Sequence, residues 1–183
     1  MDTAAVGAMH GGTLFRNLLP DSFDALPAPV RAIHDKPHGV YHGRCDIERG
    51  RGLLSKLMAA VSGLPDAGLA RALSVTIESG ADGEKWTRDF GGRRMRSSLR
   101  QQGALLEERL GPTCFRFRFV PGAEGIDWKL ESVRSLGIPL PLRWFKGVSA
   151  RESADGNRYR FDVRAEMPLA GLLVHYRGYL DVA

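Results

Sequence analysis

Residues 73–90 read LSVTIESGADGEKWTRDF, and this stretch decides the fold. Residues 73–78 alternate apolar and polar side chains, which indicates a strand with one buried face because strand side chains point alternately to two sides. Residues 79–83 are rich in the types that favour a turn, and residues 86–90 resume the alternation. The stretch therefore predicts two antiparallel strands that are joined by a tight connection.

The second of these strands carries a charge between two aromatic residues. Trp86, Arg88 and Phe90 lie two apart, so they share one face. A charge among aromatic side chains is costly unless a partner compensates it. We expect Arg88 to bind the anionic end of a largely apolar ligand. The alternative is a buried ion pair within the sheet, with Glu152 or Glu107 as the partner, and both hold if that pair lines a cavity.

Alternation continues to the end of the chain. Its clearest instance is Phe115-Arg116-Phe117-Arg118-Phe119, and Asp155-Gly156-Asn157 is a strong hairpin signal. Further alternating segments are residues 40–47, 95–99, 105–110, 126–130, 148–152, 159–163 and 172–182. The Gly/Pro-rich residues 137–141 predict a link. Short turns between strands favour antiparallel neighbours, and such a meander usually curls or closes to protect its edges.

Apolar residues near the N-terminus follow a helical period instead. Thr13 is expected to cap a helix that stops at Pro20, and Pro29 suits the first turn of a second helix that presents His34 on its apolar face. Residues 53–64 predict a third helix. The fold class that follows is mainly β (α+β): a curled antiparallel sheet or barrel of about eight to nine strands, lipocalin-like or START-like, with N-terminal helices packed against it.

Length and composition bound the class of protein. The chain has 183 residues, of which 43% are hydrophobic and 26% charged, as expected for a globular domain. We expect a flexible lead-in over residues 1–12, without a secretory signal, and a single β-rich domain over residues 13–183. No apolar run reaches the roughly 20 residues of a transmembrane segment. Cys45 and Cys114 lie far apart without metal-ligand spacing, which favours free thiols and a cytoplasmic location.

The net charge of +5 raises the question of anionic partners. Arginine is interleaved with acidic residues, and neither a lysine-rich tail nor an aromatic and basic platform is present, so we expect no specific nucleic acid. Four arginines on polar strand faces, Arg116, Arg118, Arg158 and Arg160, predict a basic exterior.

Several further residues are candidates for a site. Trp86, Phe90, Phe117 and Trp128 would line a pocket around Arg88. His34 is either a satisfied core residue or a general acid/base. Glu107 and Glu108 are adjacent on a strand, so they face opposite sides and cannot share a proton. The sequence has no metal-ligand spacing such as HExxH, no P-loop, no GxGxxG and no GxSxG, so we expect neither a metal nor a cofactor.

Segments along nearly the whole chain carry a resemblance to a known family. They are Leu14-Phe15…Leu18-Leu19-Pro20, Val30-Arg31…His34, Tyr41…Gly43, Arg49-Gly50…Gly52, Gly63-Leu64-Pro65, Trp86…Arg88…Phe90, Glu107/Glu108…Gly111, Gly137…Pro139-Leu140-Pro141 and Pro168-Leu169…Gly171-Leu172-Leu173-Val174…Tyr176…Gly178…Leu180. Over residues 13–182 the chain resembles a bacterial family of domains of unknown function, number 4166. In that family the Trp-x-Arg-x-Phe segment recurs. Its domains occur alone or as C-terminal partners of nicotinamide-dependent dehydrogenase-like domains and of membrane proteins, which implies a dehydrogenase-like partner but no activity.

Three functions are compatible with these observations. The first is a binding module for a small hydrophobic or amphipathic ligand with an anionic end. The second is a metal-independent enzyme of the isomerase, cyclase or hydrolase type, in which His34, Glu107 or Glu152 supplies acid/base chemistry. The third is an interaction domain that docks a dehydrogenase or a membrane surface through its basic exterior.

Overall fold

The structure is a computed structural model that describes residues 12–53, 65–168 and 170–182. The helix predicted over residues 53–64 lies outside the described residues, apart from Leu53, and so does the lead-in, apart from Gly12. The helical elements are α1 (Leu14–Leu18), a 3-10 turn (Phe23–Ala25), α2 (Ala28–His34) and a second 3-10 turn (Leu142–Phe145). The strands are β1 (His38–Arg49), β2 (Gly68–Gly80), β3 (Gly83–Asp89), β4 (Arg94–Gln102), β5 (Leu105–Leu110), β6 (Thr113–Gly122), β7 (Gly125–Ser135), β8 (Ile138–Leu140), β9 (Ser149–Asp155), β10 (Arg158–Met167) and β11 (Gly171–Asp181).

Ten of these strands form a closed antiparallel barrel, which confirms the predicted fold class with a somewhat higher strand count. Strands β1 to β7 pair in chain order, β7 pairs with β9, and β9 to β11 complete the ring because β11 pairs with β1. Strand β8 pairs with β7 as an extra strand outside the ring. It lies within the Gly/Pro-rich segment that we interpreted as a link.

Two glycines allow the first and last strands to close the barrel. Gly43 on β1 lies opposite Leu180 on β11, and Gly178 on β11 lies opposite Cys45. A Cβ at Gly43 would collide with the backbone carbonyl of Tyr179, and one at Gly178 would collide with the backbone of β1. Because neither position carries a side chain, the two strands approach closely at the seam.

The two ends of the barrel differ. Helix α2 ends at His34 and β1 begins at His38, so the helices lie at the end that holds the β2–β3, β4–β5, β6–β7 and β9–β10 turns. We call this the helix end. The β3–β4, β5–β6, β7–β8 and β10–β11 turns lie at the opposite end, which we call the far end.

The N-terminal helices fill the interior at the helix end. Phe15 is fully buried and stacks on His34 with ring centroids 3.5 Å apart, while its distance to the Phe119 ring is 4.9 Å. The predicted N-cap position of α1 is correct, but the expected side-chain hydrogen bond of the cap does not form. Thr13 stands at the N-cap position of α1, but its hydroxyl is buried and makes no hydrogen bond to any described residue. Burial of Phe15, rather than capping, therefore stabilises this short helix.

Among the residues that the structure describes, no helix combines the length and the apolar character needed to cross a bilayer.

Candidate ligand-binding site

The helices α1 and α2 form a plug at the helix end of the barrel. A cavity of about 240 Å³ lies inside the barrel between this plug and the far end. Its wall is mostly apolar and aromatic. Representative lining residues are Val75, Trp86, Phe90, Met95, Phe115, Phe117, Trp128, Phe145, Phe161, Val163 and Leu173. At the far end its lining includes half-buried Phe115 and exposed Ser149. The cavity thus has one closed end, formed by the helices, and one end near solvent.

Arg88 is the buried cation in this wall, whereas Arg151 and Arg164, which also line the cavity, have side chains that are 47% and 42% exposed. Its Nη1 donates to Ser97 Oγ at 2.9 Å, and its Nη2 donates to Glu108 Oε1 at 3.3 Å. The guanidinium carbon lies 4.9 Å from the centre of the Trp86 ring, so a cation–π contact adds to these bonds. A guanidinium has five N–H donors, and the contacts with protein use two of them. Arg88 is therefore fixed in position and retains donors for a ligand.

The environment keeps Arg88 charged. Burial alone would lower the pKa of Arg88, but the Glu108 carboxylate and the phenols of Tyr176 and Tyr159 outweigh it, so the pKa is raised. The side chain is 11% exposed, and that of Glu108 is 15% exposed. A permanent cation is thus held in a largely dehydrated wall, where it interacts strongly with an anion.

Two tyrosines face Arg88 from β10 and β11. Burial raises the pKa of Tyr176 to about 12, so its hydroxyl stays protonated, and it makes no hydrogen bond to any described residue. The pKa of Tyr159 is also raised, first by burial and then by the nearby carboxylate of Glu152, with which it shares a hydrogen bond. Tyr176 therefore offers a free donor at the cavity, whereas the Tyr159 hydroxyl is already used.

Two buried pairs of polar groups lie nearer the helix end. His34 Nε2 lies 2.7 Å from Glu152 Oε2, and both side chains are almost completely buried. Trp86 Nε1 donates to Glu84 Oε2 at 2.9 Å, and burial is the main reason that the pKa of Glu84 is raised. His34 Nδ1 is buried without a hydrogen bond to any described residue. These contacts tie α2 to β9 and Trp86 to the start of β3.

The structure places Glu107 on the outer wall, so the expectation that it faces Arg88 is wrong. Glu107 accepts hydrogen bonds from Arg100 Nε at 2.7 Å and Arg116 Nε at 2.8 Å. Its neighbour Glu108 points inward to Arg88, as the opposite facing of the two carboxylates requires. The error has a local cause. Leu105 and Leu106 are both apolar, so the sequence does not show which set of alternate β5 residues faces the interior.

Of the eight residues that the sequence singled out, six line the cavity. They are Trp86, Arg88, Phe90, Phe117, Trp128 and Glu152. His34 lies behind the wall against Phe15, and Glu107 lies outside. Sequence reasoning missed Ser97, Glu108, Tyr159 and Tyr176. The two tyrosines carried a signal, since each is a polar aromatic residue at an inward position of a predicted strand.

The described residues contain no group of three or more His, Cys, Asp or Glu side chains that could hold a metal ion. Both cysteines are free. Burial raises the pKa of Cys45 to about 11, with a further contribution from Asp46. That of Cys114 is also raised, mainly by burial. Neither thiol is therefore activated as a nucleophile.

The family model described as domain of unknown function, DUF4166, matches residues 26–180. Because this match covers most of the chain, the protein belongs to the DUF4166 family. It confirms the resemblance carried by the sequence segments. Comparison with curated proteins finds no match to this chain.

Proposed function

We propose that this DUF4166 domain binds a small, largely apolar molecule with an anionic end inside its barrel. One observation carries the proposal: Arg88 projects into an apolar cavity, is kept charged and retains unused N–H donors. Binding sites of this type combine an apolar wall with a few placed polar groups. The apolar part would lie against the aromatic wall and the anionic end would meet Arg88.

The cavity volume limits the size of the ligand. An apolar cavity of roughly 150 Å³ holds benzene, so a cavity of this size accommodates on the order of ten non-hydrogen atoms. Octanoate has that size and carries a single carboxylate on an apolar chain. It is therefore a suitable probe, and 1-octanol is its uncharged counterpart.

Glu108 sets the charge balance at the site. It meets Arg88 through a single hydrogen bond of 3.3 Å rather than through a paired, two-point contact. An incoming carboxylate would share the guanidinium with Glu108, and the like charges would repel each other. Removing the charge of Glu108 should therefore strengthen anion binding, while removing that of Arg88 should weaken it.

Isothermal titration with octanoate and 1-octanol tests the proposal. We expect octanoate to bind the wild-type protein more tightly than 1-octanol. Arg88→Gln should weaken octanoate binding by roughly 10- to 100-fold, as expected for loss of a charge-assisted hydrogen bond. Glu108→Gln should strengthen it, and Arg118→Gln on the outer wall should leave it unchanged. Equal affinity for acid and alcohol, or no saturable binding of either, would contradict the proposal.

A metal-independent enzyme is the second candidate, since Glu152 faces the cavity and contacts His34 at 2.7 Å. Both groups are already engaged: Glu152 accepts from His34 and Tyr159, and His34 lies behind the cavity wall. Acid/base catalysis needs a group that reaches the substrate. Binding therefore fits the geometry better than catalysis, and the sequence-based role of Glu107 in an enzyme has no place in this cavity.

A cytoplasmic location and a protein partner are further parts of this proposal. Two free thiols suit a reducing compartment such as the cytoplasm. A dehydrogenase-like partner would be consistent with the resemblance described above, and co-purification with such a protein would test it.

The arginines expected to form a basic docking face are paired with acids: Arg116 with Glu107, Arg118 with Glu131, Arg158 with Asp181 and Arg160 with Asp155. These four arginines are therefore charge-paired rather than free to attract a partner.

A further inference from the structure

The β7–β8 hairpin places a leucine in a strained and exposed position. Leu136 and Gly137 form its two-residue turn, and Leu136 has a φ of +51° with 80% of its surface exposed. Such turns favour Asn-Gly, because a bulky residue pays a steric penalty in the left-handed region. Leu136 therefore combines backbone strain with loss of apolar burial. Observed strain of this kind is a reason to look for function.

Other exposed apolar residues lie in the same segment. Ile138, Leu142 and Trp144 are exposed, with Trp144 at 40%. Two neighbouring residues of the same segment, Leu140 and Phe145, line the cavity. One segment thus supplies both cavity-lining and exposed apolar side chains, at the far end of the barrel. We call Leu136, Ile138, Leu142 and Trp144 the tip patch.

The charge around the tip patch is basic and uncompensated. Arg134, Arg143 and Lys146 are exposed and form no ion pair with any described residue. Two exposed arginines of the wall, Arg118 and Arg160, each form an ion pair with an acidic residue instead. Three basic side chains without an ion pair to the described residues therefore lie close in the chain to the exposed apolar residues.

We propose that the tip patch docks the far end of the barrel onto a bilayer that contains anionic lipid. Trp144 and Leu136 would enter the interfacial layer, where indole and aliphatic side chains are favoured. Arg143 and Lys146 would face the anionic headgroups. This docking goes beyond the proposed ligand binding and does not depend on it, although it would place the cavity beside a source of amphipathic molecules.

Trp144 gives a direct readout of docking. The chain has three tryptophans, and Trp86 and Trp128 are buried, so a change in solvent exposure reports mainly on Trp144. We expect a blue shift of tryptophan emission when vesicles of phosphatidylcholine with about a third phosphatidylserine are added, and a smaller one with phosphatidylcholine alone. Trp144→Phe should abolish the shift while vesicle cosedimentation persists.

Matched variants separate docking from a general attraction. Leu136→Asn relieves the strained turn, so the variant should fold, and it should lower the vesicle partition coefficient by roughly tenfold. Arg143→Gln and Lys146→Gln should each lower it by about fivefold. Val120→Asn, an exposed position at the helix end, and Arg118→Gln with Arg160→Gln on the wall are the controls and should have little effect.

Three results would overturn the inference. They are an absence of wild-type binding to both vesicle types at low salt, equal loss of binding in the wall controls, and a stable dimer that buries Trp144 without vesicles. Octanoate titration of Leu136→Asn keeps the two proposals apart. Retained octanoate affinity with lost vesicle binding supports docking, whereas a failure of octanoate to bind bears only on the cavity.

Discussion

The two halves of the barrel interior are built from the same strands but are filled differently. At the helix end, fully buried Phe15 stacks on His34, and two buried polar pairs, His34 with Glu152 and Trp86 with Glu84, lie nearby. Toward the far end no α-helix of the described residues enters, and a cavity of about 240 Å³ separates the aromatic walls. There Arg88 and Tyr176 retain donors that the protein does not use.

This contrast distinguishes structural from functional polar groups. A buried polar group whose partners are all in the protein stabilises one arrangement of the core. A fixed polar group with spare donors beside a cavity is arranged to meet a ligand. By this criterion Glu84, which accepts from Trp86 Nε1, belongs to the first kind, and Arg88 belongs to the second.

The largest expected effect concerns the plug. Phe15→Ala should lower the free energy of unfolding by about 3–5 kcal/mol, because a fully buried aromatic ring is lost from a packed region. Phe115→Ala, which removes a half-buried ring from the cavity wall, should cost about 1 kcal/mol. Denaturant unfolding of both variants measures the difference. Equal losses would mean that the two halves are equally well packed.

The next effect concerns the buried pair. His34→Phe keeps a ring against Phe15 but removes the contact with Glu152, which leaves a buried carboxyl without its main partner. We expect a loss of about 3 kcal/mol in the free energy of unfolding. Octanoate affinity, measured on the folded variant, should change little. A stable variant with lost ligand binding would instead make His34 a functional residue.

Filling the cavity should separate stability from binding. Ala150 faces the cavity from β9, next to Trp128 on β7. Ala150→Leu should raise the free energy of unfolding by about 0.5–2 kcal/mol, since a cavity is filled, and should abolish octanoate binding. Thermal unfolding and calorimetric titration measure the two quantities. Destabilisation with unchanged octanoate affinity would show that the space is not available to a ligand.

Tyr176 tests the free donor. Tyr176→Phe removes only the hydroxyl, which has no hydrogen bond in the described structure. Stability should therefore stay within about 0.5 kcal/mol, while octanoate affinity falls roughly three- to tenfold. Tyr159→Phe is the matched control, because its hydroxyl is bound to Glu152 and its removal should reduce stability as well. Unchanged affinity in Tyr176→Phe would remove this residue from the site.

The smallest effect is a change in the pH dependence of stability. Burial raises the pKa of Glu84 above its ordinary value of 4.5, so the folded state binds more protons than the unfolded state above that pH. Stability from this group is therefore lost as pH rises through the raised pKa, and Glu84→Gln should remove that loss.

Glu107 provides the opposite case. Burial alone would raise the pKa of Glu107, but Arg116 and Arg100 outweigh it and lower the pKa. Its contribution is present above the ordinary value and is lost as pH falls, so Glu107→Gln should flatten the acid side of the profile. Unfolding measured across the pH range decides both signs, and identical profiles for the two variants would contradict the assignment.

Much of the wall could be predicted from the sequence, because period-two alternation is a local property. The inward facing of Arg88, Phe117 and Trp128 followed from it directly. The prediction for β5 was wrong because Leu105 and Leu106 are both apolar, so the sequence does not show which side of this strand faces inward. Glu107, rather than its neighbour Glu108, was therefore expected to contact Arg88. Strand β8 was not predicted because its proline and flanking glycine favour a loop. Only pairing with β7 makes this segment a strand.

The relation between the plug and the cavity was beyond sequence reasoning. The contact between His34 and Glu152 joins residues 118 apart in the chain and exists only because the barrel closes around α2. The sequence identified both residues as candidates but gave no sign of their contact. A helical segment that fills one half of a barrel leaves no local pattern that tells how far it reaches.

The most direct test of the two-half account is a residue-resolved NMR titration of the labelled protein with octanoate. The account predicts saturable shift changes at Arg88, Phe117, Val163 and Tyr176, with α1 and His34 unaffected and with no response in Arg88→Gln. Changes centred on the plug or on the outer wall, or a response that survives Arg88→Gln unaltered, would contradict it.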